Sequence, residues 1–356
     1  MIVINFVGDI SLNNRYEELY RKGISPFSKI EPIFSHSDYN IGNLECLCDD
    51  KGEVNQLKKP RLKTAPEVLQ LLSPLRFNML NLAHNHIYDA RESGIECTCL
   101  KINELGADYI GYNSNRQIPS FIRYITVKGK LFAIISAVHP DTNPHIPEDV
   151  TLNLPSYSKE ILLKYIAEAK SKSAFIILFL HWGGRVEEGF IPDWYQMQDA
   201  HNFVDKGADL VIGGHSHTVQ PYEVYKGKYI FYSLGNFCFD DIENEGIMYP
   251  IGRFRKRRGI IVTIMVNEHN DSYTIKIIPV INRRCYIIPY AGYRLNMLIR
   301  NVYFYLIKNH RWLWRINFKL FRKLSPFYLY IFENTDSLSV KFSKFSMAKV
   351  LKHLRK

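Results

Sequence analysis

Short apolar runs recur along this chain and stop, time after time, at a polar or glycine residue. Residues 2–7 (IVINFV) predict a strand ending at Gly8-Asp9, and residues 38–44 (DYNIGNL) one ending at Glu45. Residues 77–82 run into AHNH, which holds Asn85 and His86. Residues 175–180 lead to His181-Trp182, and residues 210–212 stop at Gly213-Gly214 just before His215 and His217. Helical periodicity or helix start signals fall between these strands, at residues 13–22, 26–35, 66–72, 92–105, 157–170 and 194–206. Pro66 suits a first turn and Gly106 a C-terminal cap. Residues 109–111 predict a short strand, and 121–127 with 131–138 a hairpin around Lys128-Gly129-Lys130. A second hairpin is expected over 222–232, then strands at 259–266 and 273–280. Residues 49–64, polar and Lys-rich, predict an exposed loop, and residues 139–155, with four prolines, a long one.

Strands that alternate with helices and then accumulate in pairs predict an α/β protein with two sheets packed between helices. In open α/β sheets the functional site lies outside the carboxyl ends of the strands. Asp9, Glu45, Asn85-His86, His181 and His215/His217 all fall at such ends. Taken singly, each has an ordinary reading: Asp9 a turn residue, Asn85 a loop amide, His86 or His181 a hydrogen-bonded core histidine. An isolated H-x-H is more often a pair of surface loop histidines. It is their shared position that argues for a site.

Composition narrows the classes. With 356 residues, 46% hydrophobic and 23% charged, the chain can bury one large core, with or without an appendage. Six cysteines are too few for a disulfide scaffold, and Cys46/Cys48 and Cys97/Cys99 are C-x-C pairs, not C-x-x-C. They are read as reduced, packing thiols of a cytosolic protein. The opening MIVINFVGD has neither a basic start nor a long apolar core, so a signal peptide is not expected. No window reaches the ~18 uninterrupted apolar residues of a spanning helix. The net charge of +11 is uneven. Residues 283–356 hold 16 Lys/Arg against Glu333 and Asp336, while residues 1–282 balance to −3. That shift predicts a domain over 1–282 and a basic, aromatic-rich helical extension over 283–356.

Two carboxylates, an amide oxygen and several imidazoles, with no sulfur, suit divalent Mn, Fe, Zn or Co. Six or more such groups exceed the needs of one ion, and two ions sharing a carboxylate can clamp the attacking and leaving oxygens of a phosphate ester. GD at 8–9, NLE at 43–45, AHNH at 83–86, HWG at 181–183, GGHSHTVQ at 213–220 and YSLGNF at 232–237 together resemble the CapA (poly-γ-glutamate capsule synthesis) family, a branch of the calcineurin-like metallophosphoesterases. The resemblance covers roughly residues 1–240. It implies a four-layer αββα sandwich with two divalent metal ions. It also implies Asp9 and His217 on the first metal, Glu45 bridging, Asn85, His181 and His215 on the second, and His86 as the acid facing substrate. Asn43, Asn236 and Arg185 are expected next to these ligands or the substrate. The departures are Ser11, where the superfamily's D-x-H has a histidine, and Arg185, where a Glu often follows HWG; Glu187 and Glu188 lie nearby. His201 is read as a solvent-side helix residue.

In the extension, Leu295, Leu298, Ile299, Val302 and Leu306 repeat at helical spacing, and RWLWRINFKLFRKL follows at 311–324. Four readings stay open for residues 293–332: packing of that stripe on the domain, peripheral contact with an anionic membrane, a cradle for an acidic polymer, or nucleic acid, which no recognition motif supports. Two functions are expected from the whole. One is a metal-dependent hydrolase, acting on a phosphoester or an acidic polymer, in capsule or surface-polymer biosynthesis or export. The other is a non-catalytic assembly factor with a vestigial metal site. The expected location is the cytoplasm, peripheral at the membrane's inner face if the extension docks there.

Overall fold

The computed structural model describes residues 1–113, 121–252, 254–328 and 333. The chain opens with β1 (Ile2–Ile10), α1 (Arg15–Arg21), α2 (Glu31–Ser35), β2 (Tyr39–Leu44) and the two-residue strands β3 (Leu47–Cys48) and β4 (Lys63–Thr64). After a 3-10 segment (Pro66–Leu75) come β5 (Met79–Asn81), α3 (Arg91–Glu104), β6 (Asp108–Ile110), β7 (Ile122–Val127) and β8 (Lys130–Val138). The middle holds α4 (Lys159–Ser171), β9 (Phe175–His181), α5 (Trp194–Lys206), β10 (Leu210–Gly214), β11 (Tyr222–Tyr225) and β12 (Lys228–Phe231). Six strands follow: β13 (Asn236–Cys238), β14 (Ile242–Asn244), β15 (Ile247–Tyr249), β16 (Arg258–Val266), β17 (Tyr273–Arg283) and β18 (Tyr286–Pro289). Two helices, α6 (Tyr293–Ile307) and α7 (Arg311–Tyr328), end the described chain.

One sheet runs β18-β17-β16-β1-β2-β5-β6, with β13 also paired to β1; the other runs β11-β12-β10-β9-β8-β7. Strand alternation sends two sets of side chains to opposite faces. Ile4, Phe6, Ile41 and Val262 from the first sheet meet Ile134, Ile177, Phe179 and Ile212 from the second in one dry layer. The other face of the first sheet is covered by Tyr16, Phe34 and Ile95 of α1–α3, and that of the second by Leu162, Ile166, Ala200 and Phe203 of α4 and α5. The result is the expected αββα sandwich. Strands buried on both faces read as near-continuous apolar runs, as β9 (FIILFLH) does. All six cysteines are unpaired and buried.

Most predicted elements lie within two residues of their place, and the exceptions have physical causes. Only residues 31–35 of the expected 26–35 helix are helical, because Pro32 has no N–H to bond back into the preceding turn. The 49–64 loop is not simply exposed: Asn55, Lys58, Arg61, Leu62 and Thr64 are buried. Its charges turn inward onto backbone acceptors, Arg61 donating to Asn55 O at 3.0 Å and the Lys58 ammonium to Asn85 O. His201 does not face solvent freely; it lies 2.7 Å from a Glu223 carboxylate oxygen and stacks on Tyr225.

The basic extension begins inside the first sheet, since Arg283 is the last residue of β17 and β18 follows it. Helices α6 and α7 then cross to the second sheet. Phe304, Ile307 and Trp314 join the core beneath α5, and Trp314 Nε1 donates to Pro192 O at 3.0 Å. Of the readings left open for the stripe, packing on the domain does not hold: Leu295, Leu298, Ile299, Val302 and Leu306 are all exposed, and Tyr293, Met297, Phe304 and Ile307 are buried instead. Residues 329–332 and 334–356 of the extension lie outside the described residues. Among the described residues no helix is long and apolar enough to cross a membrane.

Candidate metal centre

The β1 end sets the first ligand. The register of β1 against β2 shifts between Val7 and Asp9, which places Asp9 beside Asn43; on its other side Asp9 pairs with Asn236 of β13. A Cβ on Gly8 would sit 1.9 Å from Gly235 O, so the close approach of these strands requires glycine there. In the second sheet, β9 and β10 end side by side, with His181 opposite Gly214. The chain then turns through His215 and His217, both in the left-handed region (φ 85° and 56°). Such backbone costs about 1–3 kcal/mol per residue and persists where surrounding contacts hold it, often at functional sites. Here His215 N donates to Asp9 Oδ2 at 3.3 Å, tying the two sheets together.

The side chains converge as two clusters. Asp9, Glu45 and His217 form one; Glu45, His181 and His215 form the other, so Glu45 belongs to both. His181 Nε2 lies 3.1 Å from His215 Nδ1, 2.9 Å from Asn85 Oδ1 and 3.7 Å from Glu45 Oε1. His217 Nδ1 lies 3.6 Å from Asp9 Oδ2 and 3.9 Å from Glu45 Oε2. The Asn85 amide is oriented by its Nδ2, which donates to Thr142 O at 3.1 Å and leaves Oδ1 toward His181. Asn43 donates to Asp9 Oδ1 at 2.8 Å, and Asn236 Oδ1 lies 2.9 Å from His217 Nδ1. Arg185 is not with them. It is 60% exposed, 3.5 Å from Asp193, and its guanidinium lies over Phe318.

Burial dominates the electrostatics. It raises the proton affinity of Asp9, against the nearby His217 and the Asn43 hydrogen bond, and that of Glu45 further, with Asp9 adding repulsion. It pushes His181 and His215 well below the ordinary imidazole value, assisted by the neighbouring imidazoles. Both Glu45 oxygens are buried without a hydrogen-bond partner among the described residues, as is His215 Nε2. A buried carboxylate with no donor is an unfavourable arrangement for a bare protein.

Several participants escaped the sequence reading. Asp89 Oδ2 lies 2.6 Å from His86 Nδ1, leaving Nε2 as that imidazole's remaining polar atom. Burial raises the Asp89 carboxyl to about 7, against the pull of Lys58. Its position three residues after His86 was the available signal. Lys58, from the supposedly exposed loop, is buried near Glu45 and Asp89. Ser136 Oγ donates to Asn81 Oδ1 at 2.5 Å and Asn81 Nδ2 to Asn43 Oδ1 at 2.8 Å, a relay from the second sheet that ends on Asp9. A cleft of about 380 Å³ opens over the cluster, lined by Asn85, His86, His217 and Asn236 with Lys58, Lys256 and Glu187. Lys256 is held by Glu188 at 2.5 Å.

The family model described as "Bacterial capsule synthesis protein PGA_cap" matches residues 3–241. The chain belongs to that capsule synthesis protein family. It is similar to "PGA biosynthesis protein CapA" of Bacillus subtilis (strain 168), 33% identical over 240 residues, covering 66% of this chain and 63% of that protein. It is also similar to "Capsule biosynthesis protein CapA" of Bacillus anthracis, 30% identical over 248 residues, covering 67% and 60% respectively. The chain thus matches less than two thirds of the length of these relatives. Among solved structures, a hypothetical protein from Thermus thermophilus superposes with a TM-score of 0.49 at 12% identity, over 78% of this chain and 99% of that one.

Every residue of the two clusters lies inside the part that matches the capsule synthesis family; β14–β18, α6 and α7 lie beyond it. At the D-x-H position of this member, Ser11 Oγ donates to Asn13 Oδ1 at 2.7 Å and so is engaged away from the first cluster. The donor set of both clusters, nitrogen and carboxylate oxygen with unpartnered Glu45 at their junction, fits divalent metal ions.

Proposed function

We propose that this capsule synthesis family member is a metal-dependent hydrolase that cleaves a phosphoester bond in the biosynthesis or export of a capsule or other surface polymer. The observation that carries the reading is Glu45, a buried carboxylate without donors among the described residues, at the junction of two ligand clusters and beside a cleft reached by His86. Asp9, Glu45 and His217 would hold one divalent ion, and Glu45, Asn85, His181 and His215 a second. Ions bound there supply Lewis acidity toward phosphoryl oxygens and a lowered pKa for coordinated water.

The protein's own groups do the rest. Lys58 and Lys256 make the cleft attractive to an anionic substrate, whether a phosphoester or an acidic polymer. His86, oriented by Asp89, sits where it can give a proton from Nε2 to the leaving oxygen. Asn85 and Asn43 keep the ligand side chains in place through their own hydrogen bonds. The relatives' names point to poly-γ-glutamate and capsule assembly, and the basic cleft is compatible with such polyanions. The test is hydrolysis of bis-p-nitrophenyl phosphate by purified full chain with added Mn²⁺, Co²⁺ or Zn²⁺. Metal-dependent turnover, lost in both Asp9→Ala and His86→Ala, supports the reading.

One observation favours a second reading. Among the described residues the first cluster offers three ligands, and Ser11 does not supply a fourth. A weakly held first ion suits a non-catalytic assembly factor. Folded protein that binds metal, yet leaves the phosphodiester intact under every ion tried, would decide for it.

A further inference from the structure

More than half of the large apolar side chains exposed among the described residues belong to α6 and α7. Each helix has two faces with different fates. On α6, Tyr293, Met297, Phe304 and Ile307 are buried on the domain, and the opposite face is aliphatic: Leu295 and Leu306 are each 66% exposed, with Leu298, Ile299 and Val302 between them. On α7, Trp314 is buried, and Trp312, Ile316, Leu320 and Leu324 face outward. Soluble proteins rarely leave a contiguous apolar surface of this extent without an occupant. The helices are not loosely attached. Arg300 donates to Val219 O at 3.1 Å, Lys308 lies 2.6 Å from the buried Glu223, and Trp194 packs on Trp314.

Charge discriminates among occupants. Arg294, Arg311, Arg315, Lys319 and Arg322 are exposed around the apolar face, and no acid occurs between residues 283 and 332. A second copy docked symmetrically would set this cationic margin against itself, because a two-fold interface pairs a patch with the same patch. Nucleic acid or a hydrophilic polyanion would satisfy the bases and leave the aliphatic centre of α6 in water. An anionic lipid surface satisfies both, taking aliphatic side chains and Trp312 into the headgroup boundary while the bases meet lipid phosphates. Neither helix can span a bilayer.

We propose that the outward face of α6 and α7 is a docking surface for an anionic membrane, on which the chain lies peripherally. It seats the metal-centre domain on the bilayer with neither helix crossing it, and it is independent of whether that centre is catalytic.

The test is cosedimentation of the full chain with sucrose-loaded vesicles of phosphatidylglycerol and phosphatidylethanolamine, against pure phosphatidylcholine, in 0.1 M salt. The expected result is binding to the anionic vesicles, weakened about fivefold for each of Arg315→Gln and Lys319→Gln and weakened further in Leu298→Glu/Val302→Glu. All variants should keep the wild-type melting temperature, since the substituted side chains are exposed. Three results would overturn the proposal. One is no binding by the folded chain; another is equal binding by the Leu298→Glu/Val302→Glu variant. The third is a solution dimer, abolished by those substitutions, from a chain that ignores vesicles.

Discussion

At the ends of β1, β2, β9 and β10, carboxylates and imidazoles are buried with too few partners, whereas along α6 and α7 aliphatic side chains stand in water. The two regions depart from the usual partition in opposite directions. The buried cluster is short of donors: among the described residues Glu45 has none, and its proton affinity is pushed up as those of His181 and His215 are pushed down. Among the described residues the outer helices lack a cover. In each case the isolated chain keeps an arrangement that a ligand would relieve, a cation in one and an apolar anionic surface in the other. The difference lies in rigidity. The cluster is held by strand register and a relay of hydrogen bonds, so its geometry precedes any ion; the helix face is only a surface and specifies no single pose.

That comparison can be broken most forcefully at the inner side of the helices. Trp314→Ala removes a buried indole packed on Trp194 and is expected to destabilise the chain by about 3–5 kcal/mol in a denaturant melt. A loss below about 1 kcal/mol would mean that α7 does not rest on the domain.

Next comes the buried Glu223. Burial alone would raise its carboxyl, but hydrogen bonds from His201, Lys308 and Tyr232 outweigh it and hold the group below its ordinary value. A carboxylate depressed in the folded state stabilises fully above the unfolded value near 4.3 and loses that contribution as pH falls through the folded one. Glu223→Gln should therefore cost about 2 kcal/mol at pH 7. The wild-type advantage in melting temperature should shrink steadily below about pH 4.3; an advantage that grew in acid would contradict the assignment.

A smaller effect is expected at Asn81, which touches no ligand atom of either cluster but carries the relay from Ser136 to Asn43. Asn81→Ala should weaken metal binding by roughly tenfold with little change in cleft charge, as measured by competition with a chelator. Smallest of all, Val302→Ala on the outward face of α6 should change stability by less than about 0.5 kcal/mol. A cost resembling that of Trp314 would show the stripe to be covered.

Much of this was legible in the residues. Helix α5 runs over the expected 194–206 because Asp193 and Gln196 form a capping box at one end and Gly207 stops the other. The strands were readable because two-face burial leaves nearly unbroken apolar runs, and the ligands because they recur where those runs stop. Lys58 was not legible, since a Lys-rich loop looks alike whether it points in or out, and Asp89 offered only its spacing from His86. The α6 stripe left its direction open for a specific reason. Both faces of that helix are apolar, and periodicity counts residues without saying which side meets the domain. The larger aliphatic set faces water, and the aromatic-containing set is buried.

The central claim is that Glu45 joins two cation sites, and metal stoichiometry tests it most directly. Full chain stripped with chelator, reloaded with Mn²⁺ or Zn²⁺ and desalted should retain two ions per chain by elemental mass spectrometry. Glu45→Ala should lose affinity by more than about 100-fold and retain fewer than one. Wild-type protein that is folded yet retains no ion, or a Glu45→Ala variant that retains two, would contradict it.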